Sequence, residues 1–285
     1  MTATDSTEEQ TARRNTMNFK AKHDSWSSGQ SYEQYMGRWS GLIAEKFVDW
    51  VDPPENLDWL ELGCGTGALT NAILSHAAPG SILATDQADD FVTYAKSRNE
   101  DKRAQFAVAD ALHLPYPDGS RDIVTSALVF NFLPDPQKAF AEMRRVLRPG
   151  GFIAFYVWDY PGGGMGFVDT FWKTAAEIDA RAAELDEGLR FPFCQKDGLD
   201  QLCQEAGIKG AEIEALEVET RFPDFEALWH PFTLGVGPPP GYVDTLSQEL
   251  RSDLKARLSA NLGSDGPISL TARAWAVKAK LPAAG

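Results

Sequence analysis

The sequence predicts an α/β fold built on a doubly wound, mostly parallel sheet with helices on both faces. Between about residues 57 and 158, short apolar segments alternate with helix-patterned ones. A glycine-rich turn, Gly63-Cys64-Gly65-Thr66-Gly67, joins the first apolar segment to the first helix of that series. At 285 residues the chain can fill one large α/β core or a core with insertions.

The elements follow in order. The polar stretch 1–22 lacks an apolar core, so it is expected to be a flexible tail and not a secretory signal. Tyr35–Val51 has helical spacing, with Leu42, Ile43, Phe47 and Trp50 expected on the packed side and Asp52-Pro53-Pro54 as the stop. Asp58–Leu62, Ser81–Thr85, Gln105–Ala109, Asp122–Leu128 and Phe152–Trp158 read as strands. Ala68–His76, Ala88–Ser97 and Asp135–Leu147 read as the intervening helices. Beyond Asp159 the rhythm changes. Pro161–Gly166 reads as a flexible turn or hinge, and Phe167–Glu187 as one long helix. Leu199–Ala206 is helical, Ala211–Thr220 a strand, and Phe225–Leu234 aromatic and helical. Pro238-Pro239-Pro240-Gly241 reads as a break, Val243–Leu262 as a helix and Ile268–Val277 as a last strand. The domain is therefore expected over 23–285, with its core at 52–158 and helical insertions at about 159–200 and 223–262.

Composition narrows the function. No apolar run approaches the roughly 20 residues of a membrane-spanning helix. Three cysteines without metal-type spacing suggest reduced thiols in the cytoplasm and no metal site. A net charge of −14 argues against nucleic acid as substrate. The one dense basic cluster, Arg144, Arg145 and Arg148, is expected on the solvated face of a helix.

The glycine turn departs from the G-x-G-x-x-G spacing of dinucleotide sites, and Glu61 stands two residues before its first glycine. A carboxylate there disfavours a diphosphate and suits an ammonium group. Asp86, at the end of the second strand, is placed to accept ribose hydroxyls, or else to cap the helix near Ala88. Asp110, where the third strand ends, is placed either for an adenine amino group or as a solvated loop acid.

ELGCGTG, ATD, ADALHLPYPDGSRDIV and FLPDPQKAFAEMRRVLRPGG, in that order, resemble the class I S-adenosylmethionine-dependent methyltransferases. The likeness is closest to the small-molecule group that includes ubiquinone-biosynthesis and methyltransferase type 11 enzymes, and extends more weakly to YEQYMGRWS and ARAWAV. It implies a Rossmann-like sheet of seven strands with an antiparallel last strand, the insertions forming a lid. It also implies S-adenosyl-L-methionine as cofactor and a small-molecule acceptor. Glu61, Gly63 and Gly65 would surround the methionine part, and Asp86 and Gln87 the ribose and adenine edge. Asp110 and Ala111 would meet adenine, and Ala127 and Leu128 the amino-acid end. Tyr35 and Arg38 would close over the cofactor carboxylate. Where many relatives carry a His-His pair this chain has Asn131-Phe132, so a base at that place is absent.

The acceptor pocket is expected over the carboxyl ends of the strands, with walls drawn from Trp26, Tyr32, Trp158, Tyr160, Phe193, Trp229 and Phe232. His230, Asp159 and His23 are the candidate bases, and Cys64 is expected to be a small buried residue without a role in the reaction. Two rival readings stay open: a cofactor-binding regulator or partner subunit without catalysis, and an NAD-dependent oxidoreductase. Oligomeric state is not legible.

Overall fold

The computed structural model describes residues 32–235, 237–263 and 266–282. The predicted tail, with His23 and Trp26, lies outside the described residues.

A wide π-helical turn at Glu33–Gly37 leads into α1 (Arg38–Val51). β1 (Asp58–Leu62), α2 (Ala68–His76), β2 (Ser81–Asp86), α3 (Asp89–Ser97), β3 (Ala104–Val108), β4 (Arg121–Ala127), α4 (Pro136–Val146) and β5 (Leu147–Trp158) then alternate as the apolar pattern requires. The chain continues through α5 (Gly166–Ile178), α6 (Glu187–Arg190), α7 (Lys196–Glu205), β6 (Glu212–Phe222) and α8 (Phe225–Trp229). It closes with α9 (Pro238–Thr245), α10 (Gln248–Leu262) and β7 (Ile268–Lys280).

The seven strands form one sheet in the order β3-β2-β1-β4-β5-β7-β6. β1 to β5 pair in parallel, and β7 runs antiparallel to both β5 and β6. Strand order reverses between β1 and β4, and in an open α/β sheet such a switch point opens a crevice at the carboxyl ends of the strands.

Several local expectations change. On α1 the packed side is set by Trp39, Ile43, Phe47 and Val51, whereas Leu42 is 44% exposed. Trp50 lies at the edge, its indole N–H donating to Glu214 Oε2 at 2.8 Å. The expected long helix at 167–187 ends at Ile178, because the Asp179 carboxylate accepts the Arg181 N–H and starts a separate 3₁₀ turn at Ala180–Leu185. The aromatic helix expected over 225–234 likewise becomes α8 and a 3₁₀ turn, His230–Thr233. The triple proline does not break the chain but opens α9, where a first turn needs no N–H from proline. The helix expected from Val243 begins only at Gln248, where the Ser247 hydroxyl caps the Leu250 N–H at 3.3 Å. The glycine turn after β5 is pinned and not a hinge. Gly162 N–H donates to Asp159 Oδ1 at 2.9 Å, and Arg273 N–H of β7 to the Gly164 carbonyl at 2.9 Å.

The basic cluster is likewise no free patch. Arg145 bonds Glu142 and Asp118 and the carbonyls of Leu114 and Tyr116. Arg148, on β5 and not on a helix, bridges Asp58 and Asp122. Among the described residues no helix is long and apolar enough to cross a membrane.

One apolar cluster runs from α1 and α2 across the sheet face into the insertions. Phe232 stacks on Phe171 with ring centroids 4.5 Å apart, and both are fully buried. Phe232→Ala is therefore expected to lower the free energy of unfolding by about 3–5 kcal/mol. Leu250→Ala, at a site 39% exposed, should stay below about 1 kcal/mol. Paired urea denaturation curves check both.

Candidate functional site

The chain ends of β1, β2 and β4 surround a cavity of about 470 Å³ at the switch point. Its floor begins with the glycine turn. Gly63 and Gly65 have φ of +71° and +51°, the left-handed region that favours glycine. A Cβ on Gly63 would also meet the Val129 side chain at 2.3 Å, so glycine is required there twice over. The turn is tied to the second strand: Cys64 N–H donates to the Thr85 carbonyl at 2.8 Å, and Gly65 N–H to Asp86 Oδ2 at 3.0 Å.

Glu61 is fully buried and lines the cleft. Its Oε2 accepts the Thr70 hydroxyl at 2.5 Å, while Oε1 has no hydrogen-bond partner among the described residues. Burial, opposed by the Thr70 bond and reinforced by the Asp86 charge, pushes its carboxyl up to about 7. Asp86 also sits above the ordinary carboxylate range because it is buried, and its Oδ1 accepts the Ala88 N–H at 2.9 Å. It thus serves the start of α3 and the glycine turn together. Asp110 stands at the rim. It accepts the Leu112 N–H at 2.8 Å and pairs with His113 Nδ1 at 2.9 Å, and that pairing holds it below the usual range.

Of the residues singled out from the sequence, Glu61, Gly63, Gly65, Asp86 and Gln87 line this cleft on one side. Asp110, Ala111, Ala127 and Leu128 line it on the next, and Tyr32, Trp158 and Tyr160 at the aromatic end. Leu128 holds φ +60° where β4 ends, a strained backbone for a side chain of that size. Tyr32 roofs the cleft. Its ring meets Phe91 of α3 edge-on at 6.2 Å and its hydroxyl lies 3.0 Å from Ser40 Oγ.

The others lie elsewhere. Tyr35 is buried between Phe167 and Phe232, with centroids 6.0 and 5.9 Å away. The Arg38 guanidinium lies over Trp39 and Phe222, 4.1 and 4.8 Å from the ring centres, outside the cleft. Trp229 and Phe232 belong to the aromatic core behind Tyr35, and Phe193 is half-buried beside Cys194 and Leu199. His230 is on the surface. Asp159 is buried with both oxygens engaged, Oδ2 by Arg273 Nε at 2.6 Å and Oδ1 by Gly162 N–H. Its place is beneath the glycine turn, away from the cleft. Cys64 lines the cleft as a buried thiol raised well above its ordinary range by burial.

Sequence reasoning missed Met36, Ser40, Thr66, Phe91, Phe132 and Tyr156, all of which line the cleft. Tyr156 carried a signal. It precedes Trp158 by two on β5 and so shares its face.

These features define a nucleoside-cofactor site on a doubly wound sheet. A protein-family model described as "Methyltransferase domain" matches residues 60–155, from β1 to β5. The malonyl-[acyl-carrier protein] O-methyltransferase of Geobacter sulfurreducens is 30% identical over 194 residues, 67% of this chain and 66% of that protein. The enzyme of the same name from Hahella chejuensis is 37% identical over 94 residues, 33% of this chain and 34% of that protein. The chain thus spans from about a third to about two thirds of the length of these relatives. The fold matches that of the Haemonchus contortus phosphoethanolamine N-methyltransferase 2 with phosphomonomethylethanolamine and S-adenosylhomocysteine bound. The TM-score is 0.57 at 16% identity, covering 89% of this chain and 57% of that one. The chain belongs to the class I S-adenosylmethionine-dependent methyltransferase family. The family's cofactor suits the residues present, since Glu61 lines the cleft and, among the described residues, its Oε1 has no partner and can receive an ammonium group.

In the ligand-free protein the raised Glu61 carboxyl has a stability consequence. Its folded-state value lies above the ordinary 4.5, so its contribution is fully present below that value and is lost as pH rises through about 7. Glu61→Gln removes this loss. Measured relative to wild type, the variant's stability should rise between pH 4.5 and 8 by up to roughly 3 kcal/mol. Denaturant curves of both proteins across that range check it, and a flat difference would remove the assignment.

Proposed function

We propose that this chain transfers a methyl group from S-adenosylmethionine to a small-molecule acceptor. The observation that carries the proposal is the cleft itself: Glu61, Asp86 and Asp110, at the ends of β1, β2 and β3, open into one cavity whose far end is aromatic. Glu61 would hold the ammonium, Asp86 and Gln87 the ribose, and Asp110 and Ala111 the adenine. When bound, the cofactor supplies an electrophilic methyl on a sulfonium; the acceptor's lone pair forms the new bond and the C–S electron pair stays on sulfur.

The chain's part is to align the acceptor and keep water out. Good orientation alone is worth up to about 7–11 kcal/mol. Tyr32, Trp158, Tyr160 and Phe132 would form the acceptor end, and their rings favour a planar or apolar body.

The acceptor's own ionisation follows from what surrounds it. At the aromatic end the titratable lining groups are Tyr32 and Tyr160. Burial pushes Tyr32 up to about 12 and Tyr160 well above its ordinary value. Neither takes a proton near neutral pH. His230 and Asp159 lie outside the cleft. On the described residues of that end, none of which takes a proton near neutral pH, the acceptor atom would enter as a nucleophile in its own right: an amine lone pair, a carboxylate, a thiolate or a stabilised carbanion. Proteins similar to this chain are named for a malonyl group on acyl-carrier protein and for demethylmenaquinone.

Isothermal titration should give binding of S-adenosylhomocysteine and none of NADH; the reverse would support an oxidoreductase and sink the proposal. Asp86→Ala should weaken S-adenosylhomocysteine at least tenfold, about 1.4 kcal/mol or more. Methyl uptake from labelled cofactor over an acceptor panel separates an enzyme from a regulator. Amines, carboxylates and thiols should react and simple alcohols should not.

A further inference from the structure

Among the described residues, three that line the cleft each carry a buried polar side-chain atom without a hydrogen-bond partner: Glu61 Oε1, Thr66 Oγ1 and Tyr156 Oη. Their residues are 0%, 7% and 1% exposed. Leaving such atoms unpaired costs folding free energy, so three of them on residues that line one cavity point to a ligand that pairs them. The strand register explains how two of them converge. Glu61, Thr125 and Ala154 lie side by side across β1, β4 and β5, and Tyr156, two residues past Ala154, points to the same face. Thr125 Oγ1, between them, is also without a partner but does not line the cleft.

The three atoms differ in what they offer. The Glu61 oxygen is an acceptor, whereas Thr66 and Tyr156 each bring a hydroxyl proton. That is the complement of an amino-acid group, ammonium beside carboxylate. Such a carboxylate is ordinarily met by arginine or by backbone N–H groups. Here, among the described residues that line the cleft, none is Lys, Arg or His. The amides of Cys64, Gly65 and Gly67 already donate within the fold. Ser40 spends its proton on the Met36 carbonyl at 3.2 Å, so in the Tyr32–Ser40 bond it is Tyr32 that donates.

We propose that Tyr156 is the residue of β5 that reads the cofactor's amino-acid end, donating its hydroxyl to the carboxylate while Glu61 takes the ammonium. The inference rests on the methyltransferase reading and deepens it: a neutral phenol and Thr66 replace the arginine that Arg38 does not supply. The ring is held for the task, with Phe47 of α1 against it at 4.6 Å.

The test is Tyr156→Phe, which keeps that ring contact. Titrate wild type and variant with S-adenosylhomocysteine, with its decarboxylated analogue, and with 5′-methylthioadenosine, which lacks the amino-acid group. The variant should bind S-adenosylhomocysteine about tenfold or more weakly and the other two within about twofold of wild type. Its ligand-free melting temperature should rise, because an unpaired buried hydroxyl is gone; a merely structural tyrosine would lower it. Equal losses on all three ligands, or no loss on S-adenosylhomocysteine, overturns the role of Tyr156 and leaves the cofactor reading standing. Binding of none of the three by wild type overturns that reading, and this inference with it.

Discussion

The bond from Gly65 N–H to the Asp86 carboxylate holds the cleft in shape. It ties the turn after β1 to the end of β2, and the same carboxylate receives the Ala88 N–H at the start of α3. For the turn to reach Asp86 the backbone must pass through left-handed φ at Gly63 and Gly65, and at Gly63 the Val129 side chain leaves no room for a Cβ. The opening lies between β1 and β4, where the strand order reverses, and that turn forms its floor. Burial of Asp86 raises its carboxyl while the amide bonds oppose the rise. The group is thus held partly by the chain and keeps lone pairs for a ligand.

The lid depends on this frame in a different way. α5, α8, α9 and α10 carry no residue of the cleft lining. Their aromatic core, with Phe171, Phe232 and Phe167, backs Tyr35, and Tyr35 is followed by Met36, which does line the cleft. The insertions position the segment 32–40 against the cofactor end of the sheet. The family match stops at residue 155, before they begin.

The sheet was legible because its strands are short apolar runs with punctuated ends. Asp58–Leu62 and Ala68–His76 fall where pattern and turn chemistry place them. Failures cluster where local side-chain bonds override propensity. Asp179 ends a helix by accepting its neighbour's N–H, Ser247 starts one three residues from its first periodic apolar position, and prolines read as a break sit where a helix tolerates them. In the cleft, the acids and glycines were legible because each stands at a strand end, where position alone assigns a task. Tyr35 and Arg38 were carried over from the resemblance, whereas Trp229 and Phe232 were drawn by residue type, and an aromatic ring fits a core as readily as a pocket. Nothing in the sequence says that Asp159 is matched by Arg273, because 114 residues separate them and only the β5–β7 pairing brings them together.

With no base or fixed cation among the described residues of the proposed acceptor end, alignment would be the main source of rate. Alignment is cheap only if the cofactor cannot swivel, and a long flexible amino-acid arm swivels unless both of its charges are held. Glu61 alone would fix one charge and leave rotation about it. A hydroxyl donor to the other charge, two strands away across β4, would remove that freedom and set the direction in which the sulfonium points. The polar floor and the apolar, base-free far end are thus complementary. The first would orient the methyl, and the second would hold a nucleophile that needs no activation against it.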